Sequence, residues 1–477
     1  MIHPLRNPGS AKPMFPRFDV SKPQGSLKRY WMRLSPAALM VSTYLLGMCF
    51  GTLLLEMPWA TKTGHISWVD ALFTVTSALC VTGLTVVDTG GYFSLAGQVV
   101  ILFLIQVGGL GIMTFAIFIL LSTGWRISTQ QRFYIQESFS PDVLGDVKRL
   151  VFFIFVFTLA AELAGALLLM ICWSGDLPLG QRIHFSVFHS IAAFCNAGFS
   201  LYPDNLARYY NHGLLNFTVA GLIILGGLGF PVVFELFSWT RMRKRFRFSL
   251  HTRLALLTTG ILIAVGMAAF WAIERRNCLA EMPLTTQFLV SFFQSVTPRT
   301  AGFNTVDFSR LSNATLMIVI FLMFIGASPG STGGGVKTTS FAALISLLWN
   351  RLRGSESNNV MNSTLPQATV SRAITVFILS INAIMLVLCA LLITQLGGLS
   401  HEYSRGLFLE YLFETVSAFG TVGLSMGVTP KFNDVGKLLI TFMMFMGRVG
   451  ILTLAYIFTH REAKPGYRFA EENIMIG

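Results

Sequence analysis

Charged residues are scarce in this sequence. Asp, Glu, Lys and Arg make up 12% of its 477 residues, whereas 53% of the residues are hydrophobic. A soluble domain carries roughly 25% charged residues, so the deficit argues against an ordinary water-soluble protein. It favours a chain that folds inside a lipid bilayer.

Acidic residues are the rarer of the charged types, since 22 Asp and Glu stand against 35 Lys and Arg, for a formal net charge of +13. Such a charge can attract nucleic acid, but the basic residues here lie in the breaks between long apolar runs. They concentrate before residue 36, at 238–253 and in the other alternate breaks. Because cytoplasmic loops of membrane proteins are enriched in Lys and Arg, we expect a multi-pass protein of the cytoplasmic membrane with both termini in the cytoplasm.

Motifs for covalent or metal chemistry are lacking as well. The six cysteines are scattered singly with no CxxC pair, so neither a disulfide frame nor a zinc site is expected. No HExxH or similar spacing of histidines is present, which disfavours a membrane-embedded enzyme. The segment 330–338 superficially resembles a phosphate loop, but Val336 separates the last glycine from Lys337, and that motif requires Lys directly after Gly. We therefore expect no enzymatic activity and no covalent cofactor.

Long apolar runs are what the sequence has in abundance. A helix needs about 20 apolar residues to cross the hydrocarbon core, and eight runs are long enough. The sixth is interrupted at 326–335 by five glycines and one proline. The predicted spans lie near 36–56, 97–121, 149–173, 214–237, 254–273, 315–345, 373–396 and 437–458.

Four short semi-apolar stretches lie in the alternate breaks and align with one another without a gap, at 72–84, 187–199, 291–303 and 412–424. One column holds Phe73, Phe188, Phe292 and Phe413, and another holds Gly83, Gly198, Gly302 and Gly423. The chain thus reads as four copies of span, re-entrant half-helix, glycine turn and span. The predicted parts are an N-terminal tail (1–35), repeat 1 (36–125), repeat 2 (146–245), repeat 3 with a broken inner helix (250–352), repeat 4 (370–460) and a C-terminal tail (461–477).

The recurring glycine turn predicts a cation pore. Irregular backbone at membrane depth is stable only when it is buried in protein or lines a watery cavity. A half-helix that descends from outside points its partly negative C-terminal end at the membrane centre, and the extended residues after it can present carbonyl oxygens to an ion. A single Thr-Gly or Ser-Gly pair is usually a surface turn, but four aligned copies are not explained in that way. The predicted ion-binding residues, through their main-chain carbonyls, are Val81, Thr82, Gly83, Asn196, Ala197, Gly198, Thr300, Ala301, Gly302, Thr421, Val422 and Gly423.

These repeats carry a resemblance to the Trk/Ktr/HKT superfamily of potassium transporters, and it extends from about residue 36 to residue 460. Thr421-Val422-Gly423 also resembles the start of the potassium-channel filter motif. The eight-span layout is closer to KtrB, the pore-forming subunit of bacterial Ktr systems, than to TrkH-like members. The resemblance implies an all-α integral membrane fold of four fused M1–P–M2 repeats, with eight transmembrane helices and four re-entrant pore helices around a central pore.

The function that this resemblance implies is potassium uptake, and whether sodium is coupled to it stays open. Sodium or ammonium transport on the same scaffold is the alternative. Sodium-selective relatives often replace the first filter glycine with serine, whereas Gly83 is intact here. We therefore favour potassium.

A gate is implied by the interrupted sixth span, which matches the family's mobile loop below the filter. A fixed helix kink is the alternative for this segment. Arg448, inside the last span, matches the family's gate arginine, although a buried ion pair with a carboxylate such as Glu162 would also explain it. The predicted gate residues are Gly326, Ala327, Ser328, Pro329, Gly330, Ser331, Thr332, Gly333, Gly334, Gly335, Lys337 and Arg448.

Partners and bound ions follow from the same resemblance. It implies a homodimer with one pore per subunit, a cytosolic KtrA-type (RCK) ring that binds the nucleotide, and K⁺ in the filter, with Na⁺ as a further candidate ion. Asp88 and Asp307 share a column five residues after the glycine, where they would either concentrate cations at an outer mouth or cap a turn. Arg299, beside the third turn, is expected to point away from the pore and to pair.

Overall fold

A computed structural model of the chain describes residues 36–112, 114, 147–175, 177–242, 247–398, 400, 402 and 404–458. The predicted tails at 1–35 and 461–477 lie outside this range, and so does the basic break around residues 122–146. The fold is all-α, as the sequence predicts. The helices are α1 (Pro36–Glu56), α2 (Trp68–Leu79), α3 (Thr89–Tyr92), α4 (Leu95–Leu110), α5 (Val147–Cys172), α6 (Leu179–Phe194), α7 (Gly213–Gly227), α8 (Phe230–Met242), α9 (Leu250–Glu274), α10 (Leu284–Val296), α11 (Asn313–Phe324), α12 (Thr338–Leu352), α13 (Gln367–Leu396), α14 (Leu407–Gly420), α15 (Asp434–Val449) and α16 (Ile451–Phe458). A short hairpin pairs β1 (Asn359–Val360) with β2 (Ser363–Thr364).

Among the described residues, the four helices α1, α5, α9 and α13 are long and apolar enough to cross a membrane, and the bent pair of α7 and α8 makes a fifth if it is one span. Their outward faces carry large apolar side chains, since Phe50 is 62% exposed, Leu159 is 68% exposed and Leu386 is 71% exposed. Such faces would be unstable in water and are typical of contact with lipid. The chain is therefore a multi-pass membrane protein.

Each long outer helix is followed by a short helix, which we call the pore helix, and then by an inner helix. The pore helices α2, α6, α10 and α14 have 12, 16, 13 and 14 residues, too few to span a bilayer. The inner helices α4, α7, α11 and α15 each begin at a side chain that accepts a hydrogen bond from the backbone N–H three residues later. These N-cap residues are Ser94, His212, Ser312 and Asn433.

A closed ring results from how the repeats contact one another. Inner helix α4 packs on pore helix α6 of the second repeat, α7 packs on α10, and α11 packs on α14. Inner helix α15 of the last repeat packs on α2 of the first. At that closing contact the Lys437 ammonium lies 2.6 Å from the Asp70 carboxylate, and both side chains are mostly buried.

The inner helices differ from the prediction in one respect. Unbroken spans at 97–121, 214–237 and 437–458 are wrong, because each of these helices breaks at a glycine with a positive φ. The break falls at Gly111 (φ 82°), at Gly229 (φ 93°) and at Gly450 (φ 91°). A right-handed helix cannot continue through this conformation, and α7 and α8 meet at an angle of 101°. The third inner helix is thus not alone in being interrupted, although the interruption between α11 and α12 is the longest one within the described residues.

The ring-closing ion pair gives a testable prediction. Replacing Lys437 with Met leaves the Asp70 carboxylate without its cationic partner in a mostly buried position, and we expect a loss of about 2 kcal/mol in stability. Thermal unfolding of the detergent-purified protein should show a lower midpoint for Lys437→Met. The double variant Asp70→Asn/Lys437→Met should lose less than the sum of the two single variants. Strictly additive losses would show that the two side chains do not stabilise the ring together.

Candidate functional site

The same three-residue turn follows all four pore helices. Its first residue has a left-handed backbone, which is rare for residues other than glycine. Its third residue is a glycine, also with a positive φ. The first residues are Val81 (φ 58°), Asn196 (φ 59°), Thr300 (φ 66°) and Thr421 (φ 49°), and the glycines are Gly83 (φ 95°), Gly198 (φ 68°), Gly302 (φ 76°) and Gly423 (φ 88°). The occurrence of an uncommon backbone conformation at four equivalent positions indicates that it serves a function. We call the four turns together the filter turns.

The glycines of the filter turns pack directly against the next turn in chain order. A Cβ atom on Gly83 would lie 2.3 Å from the Ala197 carbonyl oxygen, one on Gly302 would lie 2.4 Å from that of Val422, and one on Gly423 would lie 2.1 Å from that of Thr82. On Gly198 it would lie 2.9 Å from the Ala301 oxygen. The turns therefore form a closed ring with no room for side chains at the glycines, and the structure brings all four predicted segments together.

Carbonyl oxygens are the polar groups that this ring leaves free. The middle residue of each turn donates its backbone N–H back to its own pore helix: Thr82 to Ser77, Ala197 to Ala192, Ala301 to Thr297 and Val422 to Ser417, at 2.7, 2.7, 3.0 and 2.8 Å. Ser77 and Ser417 also accept a bond from the backbone of Gly83 and Gly423. Among the described residues no donor bonds the carbonyl oxygens of the four middle residues, which are fully buried. Buried carbonyls without a donor are suited to binding a cation.

An outer cavity of about 630 Å³ opens on the glycine side of the ring. Three aspartates, Asp88, Asp204 and Asp307, line it together with uncharged residues, and no Lys or Arg of the described part of the chain does. Asp88 caps α3 by accepting from the N–H groups of Gly90 and Gly91, and Asp307 accepts from that of Ser309. The capping interpretation of this aspartate column is thus confirmed. The two carboxylates also line the cavity, and their role in concentrating cations stays a prediction.

A loop lies against the opposite side of the filter turns. This loop, residues 325–337, connects α11 to α12, and we call it the intramembrane loop. The backbone N–H of Gly334 donates to Thr421 Oγ1 at 3.0 Å, and a Cβ atom on Gly333 would lie 2.0 Å from Thr300 Oγ1. Since Thr300 and Thr421 are the first residues of their turns, the loop covers the ends of the turns farthest from the outer cavity.

The intramembrane loop is held mainly by the break in the second inner helix. Ser328 and Thr332 donate their backbone N–H groups to the carbonyls of Gly227 and Gly226 at 3.0 and 3.2 Å, and Phe230 donates to Gly330 at 2.8 Å. Lys337 closes the loop on itself, because its ammonium donates to the Gly333 carbonyl at 2.7 Å. A kinked helix does not describe this excursion, whose bonds run to a neighbouring repeat.

Arg448 joins the intramembrane loop to the first repeat. Its guanidinium donates to the carbonyl oxygens of Thr332 and Gly108, and its Nε lies 3.4 Å from the Tyr44 hydroxyl. Within the described residues it forms no ion pair, so the alternative of a pair with Glu162 is wrong. Glu162 instead lies behind the second filter turn, 3.9 Å from Cys195 Sγ.

Arg299 points away from the ring, as expected, and lies buried between α7, α9 and α10. Its expected pairing is met by a neutral group, since the guanidinium donates to Thr259 Oγ1 at 3.2 Å. No carboxylate among the described residues pairs with it. The surrounding helix faces are apolar, with Ile223, Ile263 and Val296 beside the Arg299 side chain.

Some residues of the site were missed by sequence reasoning. Most partners of the intramembrane loop and of Arg448 are main-chain carbonyls, which leave no sequence signature. Asn205 could be recognised only from the structure, in which its side-chain amide donates to the carbonyls of Gly198 and Gly302 at 3.5 and 3.4 Å. His189 and Glu414 share a column in the aligned repeats, and the recurrence of an ionisable side chain at one position of two pore helices could have drawn attention.

Comparisons with known proteins agree on one family. The sequence profile of the TrkH family, described as cation transport proteins, matches residues 43–464. The Ktr system potassium uptake protein B of Bacillus subtilis is 38% identical over 449 residues, covering 94% of this chain and 98% of that protein. The potassium/sodium uptake protein NtpJ of Enterococcus hirae is 36% identical over 455 residues, with 94% and 99% covered. The crystal structure of the potassium transporter TrkH from Vibrio parahaemolyticus superposes with a TM-score of 0.68 at 21% identity, covering 90% of this chain and 86% of that one, and supports the fold alone.

Proposed function

This chain belongs to the TrkH family of cation transport proteins, and we propose that it takes up potassium through the ring of filter turns. The observation that carries the proposal is the closed ring itself, with four buried carbonyl oxygens that have no donor among the described residues. Carbonyls in such a ring replace the hydration shell of an entering ion. The C-terminal ends of four pore helices converge on the same place and add negative potential there.

Further support comes from the outer cavity and from the relatives. Three aspartates at the mouth raise the local concentration of cations, although Arg208 and Arg310 partly neutralise two of them at 2.6 and 3.5 Å. One relative is named a potassium uptake protein and another a potassium/sodium uptake protein. The second name makes sodium transport the second candidate. Glycine at all four third positions of the turns favours potassium over sodium.

Gating is assigned to the intramembrane loop and Arg448. The loop covers the inner ends of the filter turns, and the Arg448 guanidinium binds the loop to the first inner helix through two carbonyls. A cation that leaves the filter meets both the loop and a fixed positive charge. Opening therefore requires the loop to break its backbone hydrogen bonds to the carbonyls of Gly226 and Gly227.

Partners complete the proposal. The Ktr name of the Bacillus relative refers to a system, and this supports a protein that works with further subunits. We assign to this chain a homodimeric pore with a cytosolic KtrA-type nucleotide-binding ring, located in the bacterial cytoplasmic membrane with both termini in the cytoplasm. We assign K⁺ as the ion bound in the filter turns, with Na⁺ as a further candidate ion.

Rubidium uptake into liposomes tests the potassium assignment. We expect uptake by the wild type to be suppressed by external potassium and much less by equal sodium. Gly302→Ala should lose uptake, because its Cβ meets the Val422 carbonyl and its φ of 76° is unfavourable for alanine. Gly221→Ala is the matched control, since a Cβ on that helical glycine meets nothing within 4 Å. Equal suppression by sodium and potassium would contradict the potassium assignment, and uptake by Gly302→Ala at the wild-type rate would contradict the filter.

Arg448→Gln tests the gate. The variant removes the positive charge and the guanidinium that bridges the carbonyl of Thr332 in the loop to that of Gly108 in the first inner helix. We therefore expect rubidium uptake several-fold above the wild-type rate at equal protein content. Deletion of residues 330–335 should raise uptake in the same direction, because it removes the part of the loop that contacts Thr300 and Thr421. Uptake that stays at the wild-type level in both variants would show that the loop does not limit transport.

A further inference from the structure

Glu414 is a buried carboxylate for which the transport proposal has not so far provided a role. It lies on pore helix α14, is fully buried, and directs its oxygens at the segment that follows the fourth filter turn. Oε1 accepts from the Ser425 hydroxyl at 2.5 Å and from the Met426 N–H at 3.1 Å. Oε2 accepts from the Thr429 hydroxyl at 2.7 Å. Three donors from one short segment thus converge on one side chain.

The second repeat has the same arrangement with different chemistry. His189 occupies the position of Glu414, nine residues before the filter glycine in each case, and Ser200 occupies the position of Ser425. His189 Nε2 lies 3.1 Å from Ser200 Oγ and accepts from the Leu201 N–H at 3.4 Å. Each serine also accepts the N–H of the residue two positions later.

Repeat 3 and repeat 1 complete the comparison. In the third repeat Gln294, one position further along its pore helix, donates to Thr305 Oγ1 at 3.0 Å. In the first repeat Thr74 stands in the Glu414 column, but its hydroxyl donates to Asp70 in its own helix. Three of the four segments after the filter turns are therefore tied back to their pore helix, and the fourth repeat has the most extensive tie.

A tie at this place constrains the filter glycine from both sides. Thr421 is fixed at the end of α14, and Ser425 is fixed by Glu414, so Gly423 lies between two anchored residues. The Gly423 N–H bond to Ser417 Oγ already holds the peptide group that contains the Val422 carbonyl. Without the second anchor, glycine offers little resistance to rotation of the next peptide group, and the Gly423 carbonyl would lose its orientation. Ions of different size are distinguished by the spacing and the field of such carbonyls.

We propose that Glu414 is a positioning residue that holds the fourth filter turn in place and thereby sets the preference for potassium over sodium. This inference rests on the proposed function. The carboxylate acts through Ser425, Met426 and Thr429, which belong to the segment that follows the fourth filter turn. Ser425 and Met426 line the outer cavity, so the tie lies directly behind the outer mouth of the ring.

The test compares four variants for rubidium uptake into liposomes in the presence of competing potassium or sodium. Glu414→Ala removes all three bonds, and we expect the ratio of sodium to potassium inhibition constants to fall about tenfold. Glu414→Gln keeps the shape and can still accept from Ser425 and Met426, so it should restore most of the ratio. Ser425→Ala removes one bond from the other side and should give a smaller fall. Thr74→Val is the matched control in the first repeat, and its ratio should equal that of the wild type.

The outcomes separate this inference from the proposed function. If the wild type takes up no rubidium, the proposed function fails, and Glu414 cannot set a preference that does not exist. If the wild type is selective and Glu414→Ala keeps the same ratio, only the role of Glu414 fails. Should Glu414→Ala not fold, Ser425→Ala decides, since an unchanged ratio in that variant also overturns the proposal. An equal fall in Thr74→Val would show a general packing effect and would overturn it too.

Discussion

Backbone polar groups at membrane depth have no water to bond with, and the arrangement of this protein depends on how the four filter turns meet that constraint. In each turn the middle residue donates its N–H to the end of its own pore helix, where the carbonyls need donors. The carbonyls of the middle residues are left over, buried and directed at neighbouring turns. Under the proposed function, a cation coordinated by these carbonyls meets the constraint, so that stability and ion binding have the same origin.

Closure of the ring imposes the other features of the fold. Because each glycine packs on a carbonyl of the next turn, the repeats must follow one another around the axis in chain order, and the last must meet the first. Inner helices pack on the pore helix of the following repeat for the same reason. Their breaks at Gly111, Gly229 and Gly450 lie beyond the filter turns, and the longest interruption supplies the loop that contacts Thr300 and Thr421.

The sequence predicts the repeated parts well, because each of them occurs in all four repeats. Aligned glycines such as Gly83 and Gly302 identified the turns, and the glycine-rich segment at 326–335 identified the loop. Breaks at single glycines were missed because hydropathy continues through them without change. The Arg448 contacts were missed because Thr332 and Gly108 bind it through main-chain oxygens, which any residue has. The role of the column of His189 and Glu414 was hidden because the two side chains perform a similar task with different chemistry.

The most direct test of the account is a crystal structure of the protein grown with thallium or rubidium, in which anomalous scattering locates the bound cations. The account predicts a strong site on the axis of the ring, in contact with the carbonyl oxygens of Thr82, Ala197, Ala301 and Val422, and weakened when potassium is added. Anomalous density confined to the aspartates of the outer cavity, with none on the axis between the filter turns, would contradict it.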